Sequence, residues 1–284
     1  MPSEAFSVRR SDAVVLAGER RGRPGAPAVV FLHANVADRR AWHGVLEALE
    51  GDDLDLIAYD RRGFGETPPG EEPFTHLEDL VAVLDAVGLD RAVIVGNSYG
   101  GALALDLALT APERVAGVLH VAGGASGMTD EGEPMDWELD PATEAVYGPL
   151  QRAEADGDVE AQVRLLQHLW LDGPAQPEGR VGGAARELVA DMNRRILAWA
   201  APDGAGDAGL DAWHAFDRIR VPVTVVWGEY DVPADLPWFE PIAERIPGAR
   251  RVVLPGVAHL PGVERPELIA PLVREQVARS SNPN

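Results

Sequence analysis

The run Ala92-Val93-Ile94-Val95-Gly96-Asn97-Ser98-Tyr99-Gly100-Gly101-Ala102 decides the fold. Its first four residues are apolar and mostly β-branched, as in a strand buried on both faces of a parallel sheet. A helical pattern from Ala102 to Leu109 starts directly afterwards and stops before Pro112. Between them Gly96-Asn97-Ser98-Tyr99-Gly100 spells G-x-S-x-G in the strand–turn–helix setting that gives the pattern meaning. The residues two before and two after Ser98 must pass close to its backbone, and glycine at both removes the side chains that would collide. Ser98 then stands at a helix amino terminus, where N–H groups and the dipole favour negative charge. It is the candidate nucleophile.

The same alternation extends outward. Ala28–Leu32, Leu56–Tyr59 and Val115–Val121 read as strands, and Val221–Trp227 and Arg251–Leu254 resume the series later. Trp42, Val45, Leu46 and Leu49 recur at helical spacing, as do Leu77, Leu80, Val81, Leu84 and Val87 before Gly88. Helices are also expected over Pro237–Ile246 and Pro266–Arg279. Strands alternating with helices specify an α/β fold with a parallel sheet covered on both faces.

The alternation breaks between Gly127 and Ala212. Those 86 residues show no strand pattern and three helical stretches, Ala142–Ala155, Val159–Trp170 and Ala184–Trp199. A compact domain rarely carries so long a structureless loop. We read residues 127–212 as a helical cap inserted into a core of residues 1–126 and 213–284. The insertion holds 18 acids against 6 arginines. It also holds Trp137, Trp170, Trp199, Met128, Met135 and Met192, with Trp213 just beyond. Wide aromatic and soft thioether surfaces suit the apolar ceiling of a ligand pocket, and an acidic solvated face over an ordinary helical core is the bland alternative.

Serine chemistry needs a base and an orienting acid. Of the seven histidines, His259 alone lies between the last strand and the last helix, on the loop edge that also carries Ser98. His120 sits inside a strand and reads as core. His43, His76, His168 and His214 lie in or beside helices and read as solvated or capping residues. Asp231 follows the strand ending at Trp227 and reads as the acid; Glu229 is its competitor. An oxyanion hole needs two N–H donors, one from Tyr99 and one from the loop His33-Ala34-Asn35-Val36-Ala37-Asp38.

Composition narrows the chemistry further. The 284 residues contain no cysteine and no lysine, since all 25 basic residues are arginine. That excludes thiol nucleophiles, cysteine-bound metals, lysine Schiff bases and a P-loop. No metal or organic cofactor is expected. A net charge of −21 argues against nucleic acid and anionic membranes as partners. The charged first 22 residues lack the apolar segment of a signal peptide, and no run reaches membrane-spanning length. The expectation is a cytoplasmic protein acting on a small molecule.

Five segments in order resemble the α/β-hydrolase superfamily: Phe31–Asn35, Tyr59–Gly65, the Gly96–Gly101 elbow, Trp227–Asp231 and Gly256–Leu260. The resemblance covers about residues 6–278 and implies an eight-stranded, mostly parallel sheet with an initial hairpin and a helical cap after the sixth strand. It implies Ser98 as nucleophile, His259 as base, Asp231 as acid, in the family's chain order, and Asn35 as the second oxyanion donor. Relatives usually have glycine where this chain has Ala34, so a Cβ stands at the oxyanion loop. Asp60, Arg61 and Arg62 are expected to organise the turn before Gly63 and Gly65. Serine at 98 argues against the dehalogenase and epoxide-hydrolase reactions, which use aspartate there. A carboxylic-ester or lactone hydrolase fits best, on a substrate that is apolar at the reacting end and not polyanionic; a local arginine such as Arg194 or Arg195 leaves room for one carboxylate. Carbon–carbon hydrolysis, perhydrolysis, a hydroxynitrile-lyase reaction and a non-turnover receptor are the alternatives.

Overall fold

The computed structural model describes residues 3–128, 139–199, 206 and 208–281. Its single sheet is built from β1 (Glu4–Arg9), β2 (Val15–Gly22), β3 (Ala28–Leu32), β4 (Asp55–Tyr59), β5 (Ala92–Asn97), β6 (Val115–Val121), β7 (Val223–Gly228) and β8 (Arg250–Leu254). The strand order is β1-β2-β4-β3-β5-β6-β7-β8. β1 and β2 form an antiparallel hairpin, β2 runs antiparallel to β4, and the remaining pairs are parallel. Every residue of β3, β4, β5 and β7 is buried, which is why these strands read as unbroken apolar runs.

The helices are α1 (His43–Ala48), α2 (His76–Ala86), α3 (Tyr99–Thr110), α4 (Pro141–Asp156), α5 (Val159–Gln167), α6 (Gly183–Leu197), α7 (Leu236–Arg245), α8 (Pro261–Glu264) and α9 (Pro266–Ser281). They cover both faces of the sheet. A Cβ built on Gly117 of β6 would strike Ser280 and Gln276 of α9, while His120 of β6 lies against Gly101 of α3. Residues an odd number apart on a strand point to opposite faces, so α9 and α3 lie on opposite sides. α1 packs with α9, and α2 with α3.

Local chemistry sets the helix ends. Thr75 accepts from Glu78 N at 3.1 Å and starts α2. Asp140 accepts from Ala142 N and Thr143 N and, with Pro141 at the first helical position, starts α4, which Gly157 ends at φ 66°. The segment between β6 and β7 carries α4, α5, a π-helical turn over His168–Asp172, and α6. Leu171, Val189 and Met192 of this segment join Ala34, Ala37, Ala41 and Leu260 in one buried cluster, which seats it on two loops of the sheet's edge.

Several boundaries differ from the sequence reading, each for a local reason. Val221 and Pro222 precede β7, and Pro222, which has no N–H to give a ladder, offers its carbonyl to Val118 N at 2.9 Å. The helix expected to reach Trp170 gives way to the π-helical turn after Gln167. α8, immediately after His259, has too few residues to show a period. Among the described residues no helix is long and apolar enough to cross a membrane.

Candidate active site

The chain passes from β5 into α3 through Ser98, at φ 57° and ψ −121°. Only Ala122 among the other described non-glycine residues has positive φ. Such a conformation costs about 1–3 kcal/mol and is held here by its surroundings. Ser98 N donates to Val121 O at 2.9 Å, and Ser98 O accepts from Gly101 N at 2.8 Å. A Cβ on Gly96 would lie 2.0 Å from Gly100 O, and one on Gly100 would lie 2.4 Å from Leu32 O. Both contacts are with backbone, so no side-chain adjustment could relieve them. The two glycines are the condition for the turn. The hydroxyl is carried at the carboxyl end of β5, beside the point where strand order reverses between β3 and β5, which is where open α/β sheets place their sites.

His259 and Asp231 come from the loops after β8 and β7. His259 Nδ1 lies 2.8 Å from Asp231 Oδ1, which also accepts from Val232 N at 2.9 Å, and both side chains are buried. The carboxylate fixes a proton on Nδ1 and leaves Nε2 as the accepting nitrogen. The loops meet because β7 ends in glycine: a Cβ on Gly228 would lie 2.1 Å from Val257 O. Asn97, adjacent to Ser98, donates from Nδ2 to His259 O at 3.0 Å and to Val121 O at 3.1 Å, tying the histidine loop to the serine turn. Its spacing in the sequence gave no sign of this role; only a polar side chain in an otherwise apolar strand end hinted at one. The Trp170 ring packs on His259 with centroids 4.5 Å apart.

Asp235 is a third member that the sequence reading did not single out. Its carboxyl, Asp231 and His259 offer ligand atoms all within 4.8 Å of one another. Burial pushes the Asp235 carboxyl up to about 6, with the negative charge of Asp231 adding to it against the opposing charge of His259. Burial alone would lower the His259 pKa, but Asp231, by charge and hydrogen bond, and Asp235, by charge, raise it above the ordinary histidine value. An imidazole with a raised pKa keeps its proton to higher pH, so a reaction that uses His259 as base is expected to lose activity on the acid side earlier than one with an ordinary histidine. Asp235→Asn removes one raising charge, and the acid limb of kcat/KM is expected to move to lower pH. A pH–rate profile of the two proteins checks this; a limb that stays in place or moves up contradicts it. This trio is also the one group of three histidine or carboxylate side chains among the described residues that is close enough to hold a metal ion. A metal on Nδ1 would displace the Asp231 hydrogen bond, so the arrangement suits a proton-transfer pair better.

The other sequence expectations resolve clearly. Glu229, the competing acid, is exposed and accepts from Gly256 N at 2.9 Å, while Asp231 takes the His259 Nδ1 contact. His33 Nε2 accepts from Arg61 N at 3.1 Å, so Nδ1 carries the proton and donates to Ala34 O at 2.8 Å; it is a loop-holding residue. His120 is core, as read. His76 is not solvated: it is buried beside Phe74 and Tyr99, and burial followed by the charges of Arg61 and Arg62 drives its pKa down to about 2. His43 pairs with Glu19, His168 Nε2 lies 3.0 Å from Gln176 O, and His214 pairs with Asp211. Asp60 accepts from Arg39 N and Glu66 N, and Arg62 pairs with Asp79 at 2.7 Å, so both brace the turn.

Ala34 has its Cβ among the buried residues that seat the inserted helices, and the Asn35 side chain accepts from Arg61 Nη2 at 2.8 Å. Tyr99 is the first residue of α3. Asn35 and Tyr99 border a cavity of about 500 Å³ that is also lined by Met128, Ile196, Trp199 and Leu210. Trp213 packs instead against Phe216 and Trp238. Met135 and Trp137 lie outside the described residues.

The α/β hydrolase fold model matches residues 27–266. The chain belongs to the α/β-hydrolase fold family. This α/β-hydrolase is 30% identical over 263 residues to a pimeloyl-[acyl-carrier protein] methyl ester esterase of Neisseria meningitidis serogroup A, covering 91% of this chain and 80% of that one. It is 28% identical to a 2-hydroxy-6-oxononadienedioate/2-hydroxy-6-oxononatrienedioate hydrolase of Burkholderia vietnamiensis, covering 75% and 74%. Among solved structures, the esterase RhEst1 of Rhodococcus sp. ECU1013 superposes with a TM-score of 0.76 at 25% identity, covering 96% of this chain and 98% of that one. As a member of the family, the chain is a hydrolase.

Proposed function

We propose that the protein is a serine hydrolase that cleaves a small carboxylic ester or lactone through an acyl-enzyme. The observation that carries the reading is the buried His259–Asp231 pair, joined through Asn97 to the strained turn that presents Ser98. His259 Nε2 takes the proton of Ser98 Oγ as the oxygen attacks the carbonyl carbon. The backbone N–H groups of Tyr99 and Asn35 receive the oxyanion, and Asp231 stabilises the imidazolium. Collapse breaks the ester C–O bond, and His259 returns the proton to the departing alkoxide. Water, activated by the same imidazole, then releases the acid and restores Ser98.

Residues 127–212 act in this scheme as a cap over a core of residues 1–126 and 213–284. Trp170 shields His259 on one side, and Trp199, Ile196 and Met128 supply an apolar wall for the acyl chain. The similarity to a methyl ester esterase supports ester cleavage. The similarity to a dienedioate hydrolase supports carbon–carbon hydrolysis as the second reading, since the same triad serves both. A substrate panel separates them. Purified protein is expected to hydrolyse short-chain esters or lactones, with rates unchanged after exhaustive dialysis against EDTA. Turnover of vinylogous 1,5-diketones alone would favour carbon–carbon cleavage, and a chelator-sensitive rate restored by one metal would overturn the cofactor-free mechanism.

A further inference from the structure

Arg61 is a buried charge with no counter-ion among the described residues. It is 1% exposed. Its Nη2 donates to Asn35 Oδ1 at 2.8 Å and to His33 O at 3.2 Å, whereas Nε and Nη1 are buried without a hydrogen-bond partner. Neighbouring arginines differ: Arg39 pairs with Asp60, Arg40 with Asp38 and Arg62 with Asp79. Burial lowers the Arg61 pKa to about 10, with Tyr99 and Tyr59 acting against that shift. The guanidinium therefore stays charged at neutral pH. The rings of Phe64 and Tyr99 lie 4.4 and 4.7 Å from Cζ and offset part of the cost. They do not satisfy the two free nitrogens, and a buried cation left so is costly unless something pairs with it.

A second orphan lies on the same wall. His76 is buried, and its Nδ1 also has no partner. Its ring stands edge-on to Tyr99, with centroids 5.5 Å apart. Arg61, His76, Asn35 and Tyr99 all line the 500 Å³ cavity.

We infer that the cavity wall formed by Arg61, His76 and Asn35 is a recognition subsite for a single carboxylate on the substrate. The inference rests on the esterase reading and narrows it to half-esters of short dicarboxylic acids. The linker is short because Arg61 contacts the side chains of Asn35 and Tyr99, whose backbone N–H groups are proposed to hold the oxyanion. Phe64, between Gly63 and Gly65, stands over the guanidinium and is the side chain that must yield to the incoming carboxylate. The arginines considered from the sequence for this purpose are already engaged: Arg194 pairs with Glu160 and Arg195 with Asp191. The net charge of −21 opposes anions at long range, but that field is screened beyond about 8 Å at physiological salt, while a buried pair is screened much less.

The test is isothermal titration of the Ser98→Ala protein with monoethyl glutarate and with diethyl glutarate. The half-ester is expected to bind about thirtyfold more tightly, and the preference to fall below about threefold in Ser98→Ala/Arg61→Met. It should persist in about 0.5 M NaCl, which a surface field would not. Should the Arg61→Met chain fail to fold, Arg61→Gln, which keeps a donor toward His33 O, gives the same readout. Equal affinity for the two esters overturns the subsite. Equal weakening of both in the Arg61 variants also overturns it and leaves Arg61 as a brace for the Asn35 loop. Hydrolysis of diethyl glutarate by the Ser98→Ala protein would sink the Ser98 reading, while the ratio of the two affinities would still decide the subsite.

Discussion

Ser98→Ala is expected to lower turnover of a responsive ester by about 10⁴- to 10⁶-fold, with KM little changed and the circular dichroism and thermal midpoint retained. The size follows from what is removed. Without Oγ there is no acyl-enzyme, and the remaining catalysis comes from binding and the oxyanion donors alone. Retention of fold follows from the turn itself. It is set by Gly96, Gly100 and the backbone hydrogen bonds of Ser98, none of which uses the hydroxyl. Relief of no strain is expected either, because alanine meets the same cost as serine at φ 57°. Steady-state kinetics on the purified variant checks this, and a loss below about tenfold would contradict it.

Asp231→Asn is expected to cost about 10⁴-fold in kcat, while Glu229→Gln stays within about threefold of the parent. The asparagine amide can offer a donor to Nδ1, which flips the imidazole tautomer and puts the proton on the nitrogen that should be accepting one. It also leaves the imidazolium formed during attack without a counter-charge inside a buried site. Glu229 serves only the loop: its carboxylate holds Gly256 N, in the loop after β8 that also carries His259. The paired measurement separates the two acids. A silent Asp231→Asn with an inactive Glu229→Gln would reverse their roles.

Much of this was legible in the sequence because the deciding residues obey strong local constraints. Ala28–Leu32 and Val115–Val121 are buried strands whose limits match the apolar runs that announce them. Glycines at 96 and 100 mark a turn that no other residue permits. β1 and β2 were harder to place. They are a hairpin at the sheet's edge, with β1 mostly exposed and charged residues along both strands, so no apolar period marks them. The resemblance implied the hairpin, but the residues alone did not locate it.

The unread parts of the site are those made by long-range contact. Asn97 and His259 are 162 residues apart, and their hydrogen bond depends on how two loops close over the sheet. Asp235 reads as an ordinary helix-start residue until Asp231 and His259 are placed beside it. His76 was read from its helix as a solvated or capping residue, whereas Phe64 and Phe74 of the β4–α2 connection and Tyr99 of α3 enclose it. Arg61 was grouped with its neighbours Asp60 and Arg62 as a turn former. Burial without an acid is a property of its surroundings, not of the motif.

In the proposed mechanism Ser98 forms a covalent intermediate and His259 activates it. Peptide mapping by mass spectrometry after reaction with a fluorophosphonate tests it most directly. One adduct per chain is expected, on Ser98, formed far more slowly in His259→Ala and absent in Ser98→Ala. An adduct on any other residue, or labelling of the Ser98→Ala chain at the parent rate, would contradict it.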